Sequence, residues 1–304
     1  TQLKNSFIPL YFAPAEAYQF DWSEETIELA GKTTKIKLAH FKLSYSRMFF
    51  VIAYLRESHE MLFDAHDKAF EFFGGMTKRG IYDNMKTAVD KVFVSKSNRK
   101  FNQNFLCMLK HYVIEPTACN PASGWEKGQV ENQVDNIRDW LFKPRLKFDT
   151  LDHLNQHLLQ RVLDISKQRK HPEIKDETIY DVFIKEKSLL RKFTAPFNGY
   201  KEITRKADKT CLVNYDTNSY SIDCEYANRC VDVRAYPSKI RVFCNGNEIA
   251  KHDRCLDRNK RILNPYHYLR LLERKPGALR NGEPFKDWDL PKSILKVKDI
   301  SFYD

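Results

Sequence analysis

The sequence predicts an α/β fold built on a mixed sheet, and two observations carry this prediction. Three runs rich in β-branched and aromatic residues follow one another at residues 17–22, 32–43 and 48–55, and the third is continuously apolar, as a strand buried on both faces should be. Apolar residues then recur at helical spacing through residues 57–73, until a Gly-Gly pair ends the pattern. Strands therefore give way to a helix in one continuous segment.

The elements that follow complete the same layer. We expect a short fourth strand at 79–83 and a fifth at 111–115, separated by a polar, lysine-rich loop at 90–104. A helix then begins at the capping-box pattern Ser123-x-x-Glu126. Three strands, a helix, two strands and a helix are the element order of an RNase H-like core, a mixed sheet with flanking helices.

The composition of the chain changes beyond this core. Two helical patterns follow Pro144 and favour a helical connector, and a strand-rich region comes next, in which Asn245-Gly246 has the form of a hairpin turn. We expect that region to form a small β-barrel or sandwich. The predicted divisions are an RNase H-like domain at 1–143, a helical connector at 144–205, a small β-barrel at 206–256 and a C-terminal tail at 257–304.

Charge and cysteine content narrow the function classes. The 304 residues carry 51 Lys and Arg against 40 Asp and Glu, a formal net charge of +11, which favours a polyanion partner such as nucleic acid or an anionic membrane surface. The 7 cysteines are scattered without a CxxC pair, so neither a disulfide framework nor a zinc site is indicated. No run approaches the ~18 apolar residues that span a bilayer, and no signal peptide precedes the first strand, so we expect a cytoplasmic protein without a membrane partner. The chain begins without Met, and we expect it to be part of a longer protein.

Two acidic residues come at matching places in the predicted sheet. Asp21 lies in the first strand between Phe20 and Trp22, and Asp83 ends the fourth. If these strands are neighbours, the two carboxylates face each other at the carboxyl edge, where open α/β sheets bind ligands. Two negative charges ~4 Å apart repel by roughly 4 kcal/mol at an effective dielectric constant of ~20. A divalent cation such as Mg²⁺ or Mn²⁺, which prefers oxygen ligands, neutralises such a pair.

A third carboxylate and several basic side chains extend this candidate site. Glu131 lies on the helix after the fifth strand, beside its apolar stripe, and could reach a second metal ion. Lys78 and Arg79 precede the Asp83 strand, Lys86 follows it, and Lys127 lies one turn before Glu131, which would put positive charge where a DNA backbone approaches the metals. Taken one by one, a strand-terminal Asp is more often a turn residue and a helical Glu more often a solvated one.

Three blocks of this sequence resemble the IstA-type transposases of bacterial insertion sequences: "YQFDWSE", "GIYDNMKTAV" and "NPASGWEKGQVENQVDNIRDWLF". The tail "YHYLRLLERKPGALRNGEPF" is similar to the C-terminal region of the same family. The resemblance implies a DDE catalytic core of the retroviral-integrase type, with Asp21, Asp83 and Glu131 as the metal-binding triad. Asp83 and Glu131 are 48 residues apart, within the range that such cores use.

The same resemblance implies the reaction and its partners. We expect metal-dependent cleavage at element ends and transfer of the 3′-OH ends into target DNA, with two Mg²⁺ or Mn²⁺ ions in each active site. The implied partners are element-end and target DNA, an AAA+ helper ATPase of the IstB type, and further copies of the chain, at least a dimer. The implied location is the bacterial cytoplasm, at the nucleoid when DNA is bound. Family members carry helix-turn-helix segments before the core, so we expect this chain alone to recognise element ends weakly.

Two other functions remain open from the sequence. One is a non-catalytic nucleic-acid-binding or assembly protein that keeps the fold, and the other is an RNase H-like nuclease that cuts without joining. All three carboxylates are present, which favours a catalytic protein. Transfer of cut 3′ ends to a second duplex separates joining from cutting alone.

Overall fold

The computed structural model describes most of the chain and divides it into two compact units, Thr1–Gly199 and Tyr200–Asp304. Asp83, Lys86, Lys127 and Glu131 lie outside the described residues. No helix of the described part is long and apolar enough to cross a membrane. The described residues are 11–82, 89–92, 99–118, 140–272, 274–286 and 288, with the backbone alone at 89–92, 99–101 and 118.

The first unit contains ten strands and four helices among its described residues. Its strands are β1 (Ala17–Leu29), β2 (Lys32–Leu43), β3 (Phe49–Tyr54), β4 (Gly75–Met76), β5 (Arg79–Tyr82), β6 (Val89–Val92), β7 (Arg99–Phe101), β8 (Glu115–Ala118), β9 (Lys147–Phe148) and β10 (Arg191–Lys192). Its helices are α1 (His59–Phe73), α2 (Gln103–His111), α3 (Leu151–Gln168) and α4 (Ile179–Lys187).

The central sheet is mixed, as the sequence predicted. Its strand order is β3-β2-β1-β5-β8, and β9 pairs with the distal end of β1. Strands β1, β2 and β3 are antiparallel, whereas β5 lies parallel to both β1 and β8. The first and fourth strands of the sequence analysis, β1 and β5, are therefore neighbours, which is the condition that paired carboxylates at this edge require. Strand β1 runs further than predicted because residues 23–29 continue the hairpin with β2.

Helix α1 covers one face of this sheet with a cluster of aromatic rings. Phe20 and Phe41 contact each other at 4.6 Å between centroids, and each lies within 5 Å of the His66 ring. Burial of each phenylalanine stabilises the fold by about 1.5–3 kcal/mol. Gly74 ends the helix with a φ of +74°, a left-handed conformation that glycine adopts without a steric penalty.

The strand predicted at 111–115 is displaced, because helix α2 ends at His111, a turn follows at residues 112–113 and the strand begins only at Glu115. The Asn102 side chain accepts hydrogen bonds from the N–H groups of Asn104 and Phe105 and so begins α2. Phe105, Met108 and Leu109 recur at helical spacing and are buried. The strand comes later, as β8, an edge strand that contains Pro116.

Two further segments differ from their predicted form or cannot be compared with it. The stretch predicted as a loop at 90–104 contains the antiparallel pair β6 and β7. The helix predicted to begin at Ser123 lies outside the described residues until residues 140–142, which are helical.

Helices α3 and α4, predicted as a connector, pack within the first unit. The Asn155 side chain on α3 bonds both backbone groups of Ala53, which satisfies part of the open edge of β3. The buried Glu186 carboxylate on α4 accepts hydrogen bonds from the N–H groups of Ala15 (2.8 Å) and Ser46 (3.1 Å). These contacts fasten the helices to the sheet.

The second unit contains two sheets, and its described residues form no closed barrel. The sheet orders are β11-β14-β15-β16, antiparallel, and β12-β13-β17, in which β13 and β17 are parallel. Both contribute to one apolar core. The predicted hairpin turn at Asn245-Gly246 is confirmed, with φ values of +50° and +82°. The elements are β11 (Lys201–Lys206), β12 (Leu212–Tyr215), β13 (Asn218–Ser221), β14 (Cys230–Ala235), β15 (Lys239–Cys244), β16 (Asn247–Asp253), β17 (Arg261–Ile262), α5 (Leu269–Leu272) and α6 (Ala278–Asn281).

Candidate active site

Asp21 lies at the carboxyl end of the parallel pairing between β1 and β5. The described register ends with Phe20 opposite Tyr82, one residue before Asp21 on β1. The Asp21 side chain is half-buried, and its Oδ1 accepts a hydrogen bond of 2.8 Å from the Trp22 N–H. This edge of the sheet is the one at which the sequence predicted the paired carboxylates.

The face of the sheet on which Asp21 lies follows from its neighbours. Tyr18, Phe20 and Tyr82 all contact the ring of His66 on α1, with centroid distances of 4.9–6.1 Å. Since side chains alternate along a strand, Asp21 lies on the opposite face, away from α1.

His40 and Ser23 share this face with Asp21, and neither is singled out by the sequence pattern. His40 pairs directly with Asp21 across the two antiparallel strands and is only 6% exposed. Its Nε2 lies 2.7 Å from the Ser23 Oγ. No sequence signal marks His40, because its register with Asp21 is set by the two-residue turn at Ala30-Gly31, which lacks the Asn-Gly pair typical of such turns.

Trp140 fastens the end of the helix at 140–142 to the same face. The Trp140 ring lies 6.2 Å from the ring of Phe49. Phe49 pairs with Lys42, and Lys42 pairs with Gln19, so Phe49 lies on the same face of the sheet as Gln19 and Asp21. The Arg169 guanidinium lies over the Trp140 ring at 3.5 Å, a cation–π contact.

The basic residues Lys78 and Arg79 lie at the other end of β5. Arg79 begins the strand, and three residues at ~3.3 Å each separate it from Tyr82. Its guanidinium pairs with Glu16 at 2.7 Å, whereas the Lys78 side chain is exposed. Their binding to DNA stays a prediction, as does that of Lys86 and Lys127, which lie outside the described residues.

Asp21 has the chemistry of a hard-metal ligand, and His66 does not. A half-buried carboxylate offers the oxygen atoms that Mg²⁺ and Mn²⁺ prefer. His66 lies on the opposite face, its Nδ1 donates to the Leu62 carbonyl, and burial lowers its pKa to about 3. Among the described residues no three His, Cys, Asp or Glu side chains form a metal-binding group.

Comparison with known families assigns this architecture. Residues 13–123 match the integrase core domain, and residues 194–264 match the C-terminal domain of Mu transposase. The chain therefore carries an integrase core domain, and the predicted mixed-sheet core of this type is confirmed.

The similar proteins include transposases, several of them for insertion sequences. The chain is 46% identical over 93% of its length to a transposase of Aminobacter aminovorans, of which it covers 56%. It is 44% identical over 99% of its length to the transposase for insertion sequences IS1326/IS1353 of Pseudomonas aeruginosa, of which it covers 59%. It is 29% identical over 80% of its length to the transposase for insertion sequence element IS21 of Pseudomonas aeruginosa, covering 62% of it. The chain thus spans somewhat over half the length of these relatives.

The solved structures that match part of this chain include a viral integrase core domain and a viral intasome, both with TM-scores below 0.5. The HTLV-2 integrase catalytic core domain in complex with magnesium is 18% identical, with a TM-score of 0.40, and the match covers 56% of this chain and 97% of that one. The intasome of simian T-cell lymphotropic virus in complex with PP2A regulatory subunit B56 gamma is 13% identical, with a TM-score of 0.47, covering 84% of each chain.

Proposed function

We propose that this chain is the catalytic part of an IstA-type insertion-sequence transposase, which cleaves DNA at element ends and joins the freed 3′-OH ends to target DNA. The observation that carries the proposal is the register of Phe20 opposite Tyr82. It brings Asp21 and the chain position after Tyr82 to the same end of two neighbouring parallel strands.

The sheet supports Asp83 as the partner of Asp21. Asp83 follows Tyr82 directly, and consecutive Cα atoms are about 3.8 Å apart. Continuing β5 by one residue would turn that side chain away from the α1 face occupied by Tyr82, and so towards the face of Asp21. Neighbouring strands are about 4.8 Å apart, a spacing at which two carboxylates can hold one cation between them.

Trp140 supports Glu131 as the third carboxylate. The segment that ends in the helix at 140–142 is fastened to the Asp21 face through Phe49. A helix rises about 1.5 Å per residue, so a helix continued back from Trp140 to Glu131 would span about 14 Å along this face. That length is comparable with the distance across three strands, about 10–14 Å.

Each of the proposed residues has a distinct part in the reaction. Asp21, Asp83 and Glu131 would hold two divalent ions, which would neutralise charge at the scissile phosphate and lower the pKa of the attacking water. The Trp22 N–H donates to Oδ1 of Asp21 and keeps that oxygen in place. Lys86 and Lys127 would contact the DNA backbone near the carboxylates, while Lys78 and Arg79 would contact it at the other end of β5.

The assembly and its partners are part of the same proposal. Two element ends must be joined together, which favours at least two copies of the chain. The resemblance of the sequence blocks to IstA-type transposases implies an AAA+ helper ATPase of the IstB type as a partner. We place the reaction in the bacterial cytoplasm, where the DNA substrate lies.

A crystal soaked in Mn²⁺ tests the metal site without requiring the sequences of the element ends. We expect an anomalous difference peak between Asp21 and Asp83, with Glu131 within reach, and loss of this peak in Asp21→Asn. Glu24→Gln, on the exposed part of the same strand where Glu24 pairs with Lys35 at 2.9 Å, should keep it. Carboxylates on different faces of the sheet, or no peak even with DNA bound, would refute the proposed site.

An activity assay separates joining from the other functions. The full-length protein should transfer cut 3′ ends to a second duplex, and Asp83→Asn should abolish this transfer. Cutting without transfer would indicate a nuclease, and transfer that survives Asp83→Asn would indicate a different catalytic centre. DNA binding should weaken steeply as salt concentration rises, because Lys and Arg displace the counterions of the phosphates.

A further inference from the structure

The segment at residues 193–199, here called the strap, joins β10 of the first unit to the start of the second. It has no helix or strand structure, so its backbone N–H groups need partners other than a regular ladder. A single carboxylate, Asp67 on α1, provides two of them. We propose that Asp67 is a positioning residue that clamps the strap to the integrase core and thereby fixes the point from which the second unit extends during strand joining.

The hydrogen bonds of Asp67 are directed at the strap. The Phe197 N–H donates to Oδ1 at 3.1 Å and the Asn198 N–H donates to Oδ2 at 3.0 Å. The Tyr112 hydroxyl donates to the same Oδ1 and itself accepts from the Phe197 N–H at 2.9 Å. Hydrogen bonds to an ionised acceptor are stronger than neutral ones, and a side chain that is 8% exposed loses little of that strength to solvent.

Side-chain packing holds the strap at the same place. The Phe197 ring contacts the ring of Phe63 on α1 at 5.4 Å, edge to face. A Cβ atom added at Gly199 would lie 2.3 Å from Phe63 Cδ2, so the backbone there approaches α1 as closely as a glycine allows. The His111 Nε2 lies 3.1 Å from the Ala195 carbonyl oxygen and extends the contact to α2.

This arrangement exceeds what the stability of the core requires. Asp64, also on α1, bonds within the core: its carboxylate accepts a hydrogen bond of 2.6 Å from the Tyr54 hydroxyl. Asp67 instead makes three bonds to residues more than 40 positions away, two of them to an irregular segment. Asp67 thereby holds residues 197 and 198 against α1.

The clamp matters for joining, which is why the inference rests on the proposed function. Strand transfer must bring a cut end and a target phosphate together within tight geometric limits, and misplacement by about 1 Å can cost ~100-fold in rate. A strap released from α1 would leave the carboxylates intact and widen the range of positions open to the second unit. Loss of Asp67 should therefore impair joining and leave metal binding unchanged.

Hydrogen–deuterium exchange of the chain tests the clamp itself. In Asp67→Asn the peptide containing residues 197 and 198 should exchange at least ~10-fold faster, since the variant removes the charged acceptor of their N–H groups, while peptides of β1, β2 and β3 keep their rates. Asp64→Asn is the matched control, because it removes a carboxylate that accepts a tyrosine hydroxyl on the same helix without touching the strap. Unchanged exchange at residues 197 and 198 in Asp67→Asn would overturn the clamp.

A joining assay with pre-cut ends and the full-length protein tests its role. Asp67→Asn should lower the joining rate about 10-fold and leave Mn²⁺ affinity unchanged. Asp64→Asn should not lower joining selectively in this way. A strap that is released while joining stays at the wild-type rate overturns the positioning role. If Asp67→Asn loosens the whole unit, Gly199→Ala provides the second test, because it forces the strap away from Phe63. Gly199→Ala must then lower joining while Mn²⁺ affinity stays unchanged, or the inference fails. Wild-type protein that never joins DNA refutes the proposed function, and the exchange experiment still decides the clamp.

Discussion

Asp21 and His40 lie directly opposite each other across β1 and β2, with their side chains on the face of the sheet away from α1. Directly paired residues of antiparallel strands have Cβ atoms about 4.5–5.5 Å apart. His40 is buried and its Nε2 lies 2.7 Å from the Ser23 Oγ, so the imidazole is held in one orientation beside the carboxylate. A ring fixed in this way limits the rotamers open to Asp21.

We predict that His40→Ala weakens metal binding without unfolding the protein. Residues that orient a metal ligand typically contribute 10–100-fold to affinity, so Mn²⁺ affinity should fall by about that factor. Isothermal titration with Mn²⁺ measures the change, and circular dichroism checks the fold. Thr33→Ala, at an exposed position near the start of the same strand, is the control. Equal affinity in His40→Ala and wild type would exclude a supporting role for His40.

We predict that Gly80→Ala destabilises the first unit. A Cβ atom at residue 80 would lie 2.6 Å from the Tyr82 hydroxyl and 2.8 Å from the Tyr18 hydroxyl, which bond to each other in the core. Overpacking of this kind costs about 1–3 kcal/mol, measured as the change in free energy of unfolding in urea. Gly277→Ala is the control, because no atom lies within 4 Å of the added Cβ. Equal destabilisation in the two variants would show that the tyrosine pair can move aside.

We predict that Trp140→Ala lowers Mn²⁺ affinity about 10-fold, since it releases the helix end at 140–142 from the Asp21 face. The substitution removes the indole ring that lies 6.2 Å from the Phe49 ring and 3.5 Å from the Arg169 guanidinium. Trp140→Phe keeps an aromatic ring for both and should restore most of the affinity. Leu159→Ala, a partly exposed position on α3, should have no effect. Affinity that survives Trp140→Ala would mean that this anchor does not serve the carboxylates.

The elements with a clear hydrophobic period could be predicted from the sequence. Strands β1, β2 and β3 and helix α1 are predictable because apolar residues follow one period over many residues. Helix α2 escapes prediction because its apolar residues merge with the strand-like run "HYVIE". Strand β8 carries a weak signal, since its four residues include Pro116.

Features that depend on distant pairing could not be predicted. The register of Asp21 with His40 depends on a tight turn at Ala30-Gly31 that lacks the usual Asn-Gly signal. The parallel pairing of β13 with β17 joins residues about 40 positions apart, so the sequence predicts a barrel where the second unit forms two sheets. The sequence predicts correctly that Asp21 lies at the carboxyl edge of the parallel strands, whereas Asp83 and Glu131 lie outside the described residues.

We predict that both units lose stability as the pH falls below ~6.5, the usual pKa of histidine. Burial lowers the pKa of His66 in the first unit to about 3 and that of His267 in the second to about 4, and it also lowers the pKa of His252. Below ~6.5 the unfolded chain binds a proton that the buried His66 excludes in the folded state, so His66 lowers the free energy of unfolding by about 1.4 kcal/mol per pH unit, and His252 and His267 act in the same direction in the second unit. The effect ends as the pH reaches the folded pKa values, near 3 to 4.

Urea unfolding at pH 7, 6 and 5 measures this dependence. His66→Phe, which keeps a ring among the aromatic residues under α1, should reduce the slope of unfolding free energy against pH in the first unit. His153→Gln removes an exposed imidazole and should leave the slope as it is. A slope that is the same in His66→Phe and wild type would show that groups other than His66 take up the protons bound on unfolding.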